Sequence, residues 1–148
     1  PLKEFTRLPN SSINDIAWVK LKLVGLEQSA FLMPSELSGG MKKRAAIARA
    51  MALDPSIIFL DEPSAGLDPI TSAELDQLVK NLASTLGITF VIVTHELESI
   101  HSISDRVIML EKNIKGIIAT GTPDDLKNDR TNPYVNNFFN RRIDKGEK

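Results

Sequence analysis

The distribution of apolar positions divides the chain into two differently patterned parts. From Ser12 onward the apolar residues recur at helical spacing, with Ile13, Ile16, Ala17, Leu21 and Val24 on one face and Gly25 near the end. Ser12 followed three positions later by Asp15 predicts the N-terminal cap of this helix. Residues 1–11, with Pro1, Pro9, Asn10 and Ser11, read as a loose lead-in, and 26–37, with Pro34, as a connection. A second helix is expected from Ser38 through Ala45-Ala46-Ile47-Ala48 to Leu53, stopped by Asp54-Pro55.

After Pro55 the periodicity changes. Ile57 to Leu60 is a short continuous apolar run, which predicts a buried strand. A helix follows over Thr71–Leu86, ended by Gly87, then a second strand over Ile88–Thr94 that is mostly apolar and β-branched. Beyond it the pattern predicts a short helix over Glu96–Ser102 and a hairpin of Arg106–Leu110 and Ile114–Ala119 across Lys112-Asn113. A helix starting at Thr122-Pro123-Asp124 and a terminal one over Pro133–Arg141, with Val135, Phe138 and Phe139 as its apolar stripe, complete the series. Strand, helix and strand with continuous apolar strands argue for an α/β fold with a parallel sheet covered by helices. The expected division is a helical part over 1–53 and an α/β part over 54–148.

Composition narrows the class. The chain has 148 residues, of which 42% are apolar and 25% charged, enough to bury a core. Eighteen basic against nineteen acidic residues give a net charge of -1, with no electrostatic footprint for nucleic acid or an anionic membrane. No cysteine is present, which excludes disulfides and thiolate metal sites. The longest apolar runs fall far below the roughly 18 to 20 residues of a membrane span. The chain begins Pro-Leu-Lys-Glu-Phe, without an initiator methionine or a signal-peptide pattern, which suits a piece of a longer protein.

Four short segments carry candidate chemistry. Asp61-Glu62-Pro63 places two carboxylates at the end of a buried strand, the edge of a parallel sheet where ligands bind. One carboxylate suits Mg²⁺, which takes one or two carboxylates plus phosphate oxygens, and the other suits polarising a water. The plain alternative is a polar turn. Ser38-Gly39-Gly40 opens a helix, where free N–H groups and the helix dipole favour an anion and glycine admits it closely. Lys42, Lys43 and Arg44 add positive charge nearby. Alone, this segment reads as a serine cap. Thr94-His95-Glu96 ends the second strand at the edge shared with Asp61-Glu62 if the strands are parallel, and a histidine there can donate to phosphate. Ser64-Ala65-Gly66-Leu67-Asp68-Pro69 is a turn in which Asp68-Pro69 sets up the next helix.

In this order and at these spacings the four segments resemble the ATP-binding-cassette ATPases. Leu37-Ser38-Gly39-Gly40 is similar to the signature motif, Ile57 to Pro63 to the Walker B segment, Ser64 to Asp68 to the D-loop, and His95 to the switch histidine. The resemblance implies a P-loop NTPase-type parallel sheet flanked by helices, with an N-terminal helical subdomain. It implies ATP and Mg²⁺ as cofactors, with two cassettes sandwiching two nucleotides head to tail. It implies that Asp61 helps hold Mg²⁺, that Glu62 orients or deprotonates the attacking water, and that His95 contacts the γ-phosphate. Leu37, Ser38, Gly39, Gly40 and Met41 would face the nucleotide of the partner subunit, and Asp68 would contact that partner near its phosphate loop.

Two departures stand out. Met41 replaces the usual glutamine, which removes a polar contact but leaves the Ser-Gly-Gly backbone. No G-x-x-x-x-G-K-[ST] phosphate loop is found, so the fold is expected to be incomplete, with the phosphate-loop half missing. The chain alone is therefore expected neither to bind ATP tightly nor to hydrolyse it, and to be fragile or to associate through an exposed edge or face.

Met33 to Arg44, Asp61 to Ile70, Thr94 to Ile100, Gly121 to Leu126 and the tail with Val135, Phe138 and Arg141 also resemble the ATPases of phospholipid-trafficking importers, the maintenance-of-lipid-asymmetry and toluene-tolerance group. This implies a transmembrane permease partner, a second ATPase subunit, no nucleic acid and no direct membrane insertion. It implies a cytoplasmic subunit, peripheral on the inner-membrane face through the permease. The competing readings are an ATPase of the same type in translation or DNA repair, and a non-catalytic interaction module. Intact Asp61, Glu62 and His95 speak against the latter.

Overall fold

The computed structural model describes residues 1–142. Their contacts divide into two compact units, Pro1–Thr94 and a second one beginning at His95.

The first unit opens with a four-residue helix, α1 (Leu2–Phe5), whose one buried residue is Leu2. The sequence reading treats this stretch as a loop, because one turn is too short to display periodicity. α2 (Asn10–Leu23) starts two residues before the expected Ser12. Pro9 occupies the cap position without a side-chain hydrogen bond, and the Ser12/Asp15 pair lies inside the helix and caps nothing. Single-turn 3-10 segments at Glu27–Ser29 and Pro34–Glu36 fill the connection.

α3 (Gly39–Ala50) follows and tightens into a 3-10 turn at Met51–Leu53. Asp54 then adopts a left-handed conformation at φ 49°, which ends the helix before Pro55. Lys20 of α2 pairs with the Asp54 carboxylate. The helices bury Val24, Leu26, Ile47, Ala48 and Met51.

β1 (Ile57–Asp61), α4 (Pro69–Leu86) and β2 (Thr89–Val93) form a strand-helix-strand unit. The two strands are parallel and in register from Ile57↔Thr89 to Asp61↔Val93. Asp68 caps α4 at its start, and Gly87 at φ 66° ends it. α4 buries Leu75, Val79 and Leu82, and Ile58 is 4% exposed. The alternate positions behave differently: Ile57 is 51% exposed, Phe59 75%, Val91 41% and Val93 61%. One face of the β1–β2 pair is therefore apolar and uncovered among the described residues, as expected for a sheet seen in part.

The second unit contains α5 (Leu97–Ile103), β3 (Val107–Glu111), β4 (Gly116–Gly121), α6 (Pro123–Asn128) and α7 (Pro133–Phe139). β3 and β4 form an antiparallel hairpin. β4 begins two residues later than expected because the Glu111 carboxylate accepts hydrogen bonds from the Asn113 and Ile114 amides, drawing Ile114 into the turn. Thr122 and Asp125 cap α6 reciprocally. Ile100, Leu126, Val135 and Phe139 form the core, with Phe138 packed against it. The Phe138 and Phe139 rings meet edge to face at 5.4 Å.

Candidate functional site

Three segments of the first unit converge. Ser38 caps α3 in an extended conformation, and its Oγ accepts from the Met41 amide at 3.2 Å. The next residues, Gly39 and Gly40, form the first turn, where backbone N–H groups lack helical acceptors and face the positive end of the dipole. Leu37 precedes them in extended conformation, and Ser38 and Gly39 are exposed. An anion thus has access to the helix end. Gly40, in contrast, is buried: a Cβ there would lie 2.6 Å from Cγ2 of Thr71 on α4. A Cβ at Gly39 would lie 3.4 Å from Leu67 Cδ2. Glycine is needed at position 40 for close packing of α3 on α4, as well as for any ligand.

The basic residues after the glycines are mostly committed elsewhere. Arg44 pairs with Glu74 at 3.0 Å, and Lys43 donates from Nζ to the Glu62 carbonyl at 3.1 Å. Their positive charge serves internal contacts rather than simply lining an anion site.

β1 delivers Asp61 and Glu62 to its carboxyl end. Asp61 is exposed. Glu62 has φ 43°, a left-handed conformation sparsely populated by residues with a side chain. Several contacts hold it there. Its amide donates to the Val93 carbonyl at 2.9 Å, its carbonyl accepts from the Ala65 amide at 3.2 Å, and Thr94 Oγ1 donates to Glu62 Oε2 at 3.3 Å. Thr94 reaches Glu62 because the parallel register pairs Asp61 with Val93, so the residue after each strand emerges side by side. The sequence names Thr94 in a motif without predicting this bond.

The turn Ser64–Asp68 follows, with Gly66 at φ 81°. Ser64 is 1% exposed, and its Oγ has no hydrogen-bond partner among the described residues. Asp68 Oδ1 accepts from the Ile70 and Thr71 amides, each at 3.1 Å, and Oδ2 accepts from Thr71 Oγ1 at 2.5 Å. The Thr71 hydroxyl, followed by these amides, holds the Asp68 carboxyl below the usual carboxylate range.

The donor set fits a hard cation supplied with phosphate. Mg²⁺ takes one or two carboxylates from a protein when phosphates provide other oxygens, and Asp61 at the strand end suits it, leaving Glu62 for a water. Among the described residues no group of three or more His, Cys, Asp or Glu forms a self-sufficient metal cage. The structure thus brings Leu37–Met41, Asp61, Glu62 and Asp68 into one unit. His95 is the first residue of the other unit, where it lines a cavity of about 290 Å³ with Glu96, Leu97, Glu98 and Arg141.

Comparison with known proteins fits this geometry. Residues 9–65 match the ABC transporter family. A solved ATP-binding cassette of an ABC transporter, in an ADP conformation, superposes with a TM-score of 0.77 at 27% identity, over 89% of this chain and 51% of that one. The cbiO1 structure from Clostridium perfringens, part of the ABC transporter complex cbiONQ, gives 0.75 at 32% identity, over 83% of this chain and 48% of its own. The chain is thus similar, over most of its length, to about half of an ATP-binding cassette of the ABC-transporter type.

Among curated relatives, it is 45% identical to the intermembrane phospholipid transport system ATP-binding protein MlaF of Haemophilus influenzae, over 85% of this chain and 47% of the relative. It is also 45% identical to the Escherichia coli protein of that name, over 94% of this chain and 51% of the relative. A probable ribonucleotide transport ATP-binding protein of Mycobacterium leprae is 41% identical over 96% of this chain and 40% of its own. The chain spans about half the length of the curated relatives it matches.

Proposed function

We propose that this chain is the signature-to-C-terminal portion of the ATP-hydrolysing subunit of a lipid transporter. The observation that carries the reading is the fixed placement of Glu62 at the carboxyl end of β1, beside Asp61 and tied to the helix that begins at Ser38.

In the complete subunit, Glu62 acts on the water that attacks the γ-phosphate of ATP. The Thr94 hydroxyl orients one carboxylate oxygen, and the left-handed backbone at Glu62 fixes how the side chain leaves the strand end. Asp61 would help hold Mg²⁺, which would supply charge neutralisation to the transferring phosphoryl group. His95 donates to the γ-phosphate. Leu37, Ser38, Gly39, Gly40 and Met41 present the end of α3 to the nucleotide of a second cassette, and Asp68 meets that cassette. Phosphoryl transfer needs mainly positioning and charge stabilisation, which rigidly held backbone groups provide.

A transmembrane permease is the second partner. Phe31, 92% exposed, lies 6.4 Å from the half-exposed Trp18 ring, and Met33 is also exposed, an apolar surface suited to protein contact. No helix among the described residues is long and apolar enough to cross a membrane, which fits a subunit held peripherally, on the cytoplasmic face, through the permease. Phospholipid is the proposed solute, supported by the names of the 45%-identical relatives.

The test is ATP turnover by the full-length subunit. Glu62→Gln is expected to lower it by at least about 100-fold while ATP is still bound. Turnover equal to wild type would overturn the assignment. The chain by itself, without a phosphate loop, is expected to show neither tight ATP binding nor hydrolysis; turnover by it, abolished in Glu62→Gln, would refute that.

A further inference from the structure

We propose that Lys43 is a positioning residue that ties the anion-binding start of α3 to the backbone of Glu62, so that occupancy at Ser38–Gly40 is felt at the hydrolytic carboxylate. The inference rests on the reading of Glu62 given above.

Contacts around Glu62 come from the neighbouring strand, from its own turn and from α3. Val93 and Thr94 belong to the neighbouring strand and its end, and Ala65 to the turn that Glu62 itself begins. Lys43 comes from α3, 19 residues earlier in sequence. Its Nζ reaches the Glu62 carbonyl at 3.1 Å in a part-buried setting. Among the described residues no carboxylate forms an ion pair with Lys43, so its charge is directed at that carbonyl. An ammonium group on a carbonyl makes a charge-assisted bond, stronger than a neutral one. Glu62 sits at φ 43°, a conformation that persists only where the surroundings over-determine it. Removing one of its ties therefore affects the aim of the side chain more than it would at a relaxed residue.

The start of α3 is also wedged in place. Gly40 packs so closely on Thr71 that a Cβ would meet its Cγ2 at 2.6 Å, and Thr71 in turn holds Asp68. A displacement of the first turn of α3 is thus transmitted along two routes: by packing to Thr71 and Asp68, and by the Lys43 side chain to Glu62. In a head-to-tail pair of cassettes, the α3 end of one subunit serves the nucleotide of the other, while Glu62 serves its own. Lys43 then links the two nucleotide sites within one chain. A basic residue merely solvating a helix face would have no such consequence.

The experiment uses the full-length subunit, with Lys43→Met removing the charge, Lys43→Gln as a second variant should the first fold poorly, and Lys43→Arg keeping the charge. In Lys43→Met, kcat is expected to fall about 10-fold with KM for ATP changed less than about 2-fold, because the perturbation misplaces a catalytic group without touching nucleotide contacts. The Hill coefficient for ATP should move toward 1. Amide exchange at Ala65, which donates to the same Glu62 carbonyl, should quicken in the nucleotide-free protein. Lys43→Arg should restore most of kcat. A merely structural role would lower the melting temperature and raise KM together, without selective loss of kcat, and that result overturns the proposal. Unchanged kcat, Hill coefficient and Ala65 exchange in Lys43→Met also overturn it, while leaving the site assignment standing. A wild-type subunit that does not hydrolyse ATP overturns both.

Discussion

Replacing Gly40 with alanine sets two magnitudes against each other. In a helix interior alanine is favoured over glycine by about 1 kcal/mol, and by less in a first turn. On propensity alone the substitution stabilises. The new Cβ, however, would stand 2.6 Å from Thr71 Cγ2, against a normal carbon–carbon separation of about 3.5 to 4.0 Å. Relief requires α3 and α4 to part by about 1 Å or Thr71 to rotate. Rotation is obstructed because Thr71 is β-branched and its Oγ1 is bound to Asp68. Overpacking of this kind costs about 1 to 3 kcal/mol. The expected net effect is a loss of about 1 kcal/mol, seen in urea unfolding of the chain as a midpoint lowered by about 0.5 M at a typical slope of about 2 kcal/mol/M. Adding Thr71→Ser removes the clashing methyl, keeps the hydroxyl for Asp68, and should return the midpoint to near wild type. A single variant more stable than wild type, or a double variant no better than the single, would refute the packing argument.

Ser64→Ala removes a buried hydroxyl without a partner and should raise stability by about 1 kcal/mol, read as a higher melting temperature; a loss would reveal a hydrogen bond to that hydroxyl in solution. Ile58→Ala should cost about 2 to 4 kcal/mol, whereas Phe59→Gln one residue away should cost little in the isolated chain and reduce its self-association in sedimentation, since Ile58 is buried and Phe59 exposed. The carboxyls of Asp68, Glu111, Asp125 and Asp129 are all held low, by Thr71, Asn113, Thr122 and Thr131 respectively. Depressed folded values give support that is complete above the unfolded-chain value of about 4 and lost as pH falls through the lower folded value; NMR titration of Asp68 should show this, and Thr71→Val should move its midpoint upward. Phe31→Ser should weaken association with the proposed permease partner in a pull-down without changing the melting temperature, because Phe31 is almost fully exposed.

The parts of this fold legible in the sequence are those whose signal is local. The apolar runs at Ile57–Leu60 and Ile88–Thr94 announce strands, and Asp68 with Gly87 brackets α4 by cap chemistry. Parallel pairing follows from the helix between the strands. Where the structure differs, the cause is a competing local bond: Glu111 holding the hairpin turn, or α2 beginning at Asn10 without using Ser12. The four motif segments were likewise visible as residue types in order. What holds them was not. Lys43 reaches Glu62 across 19 residues and Thr94 reaches it across 32, and only the register of β1 and β2 with the packing of α3 on α4 makes those contacts. A lysine after a glycine pair reads as surface charge until the carbonyl opposite it is located.

The Asp68 carboxylate already accepts three hydrogen bonds within its own chain. On the proposed function, a second cassette taking hold of Asp68 would compete with the cap of α4. Each engagement would loosen the first turn of α4, and each release would restore it. Association of this kind would carry its own restoring force, since the cap of α4 re-forms once the partner withdraws. On the proposed function, a subunit joining and leaving a partner in each nucleotide cycle would gain from having that point of grip already spoken for at rest.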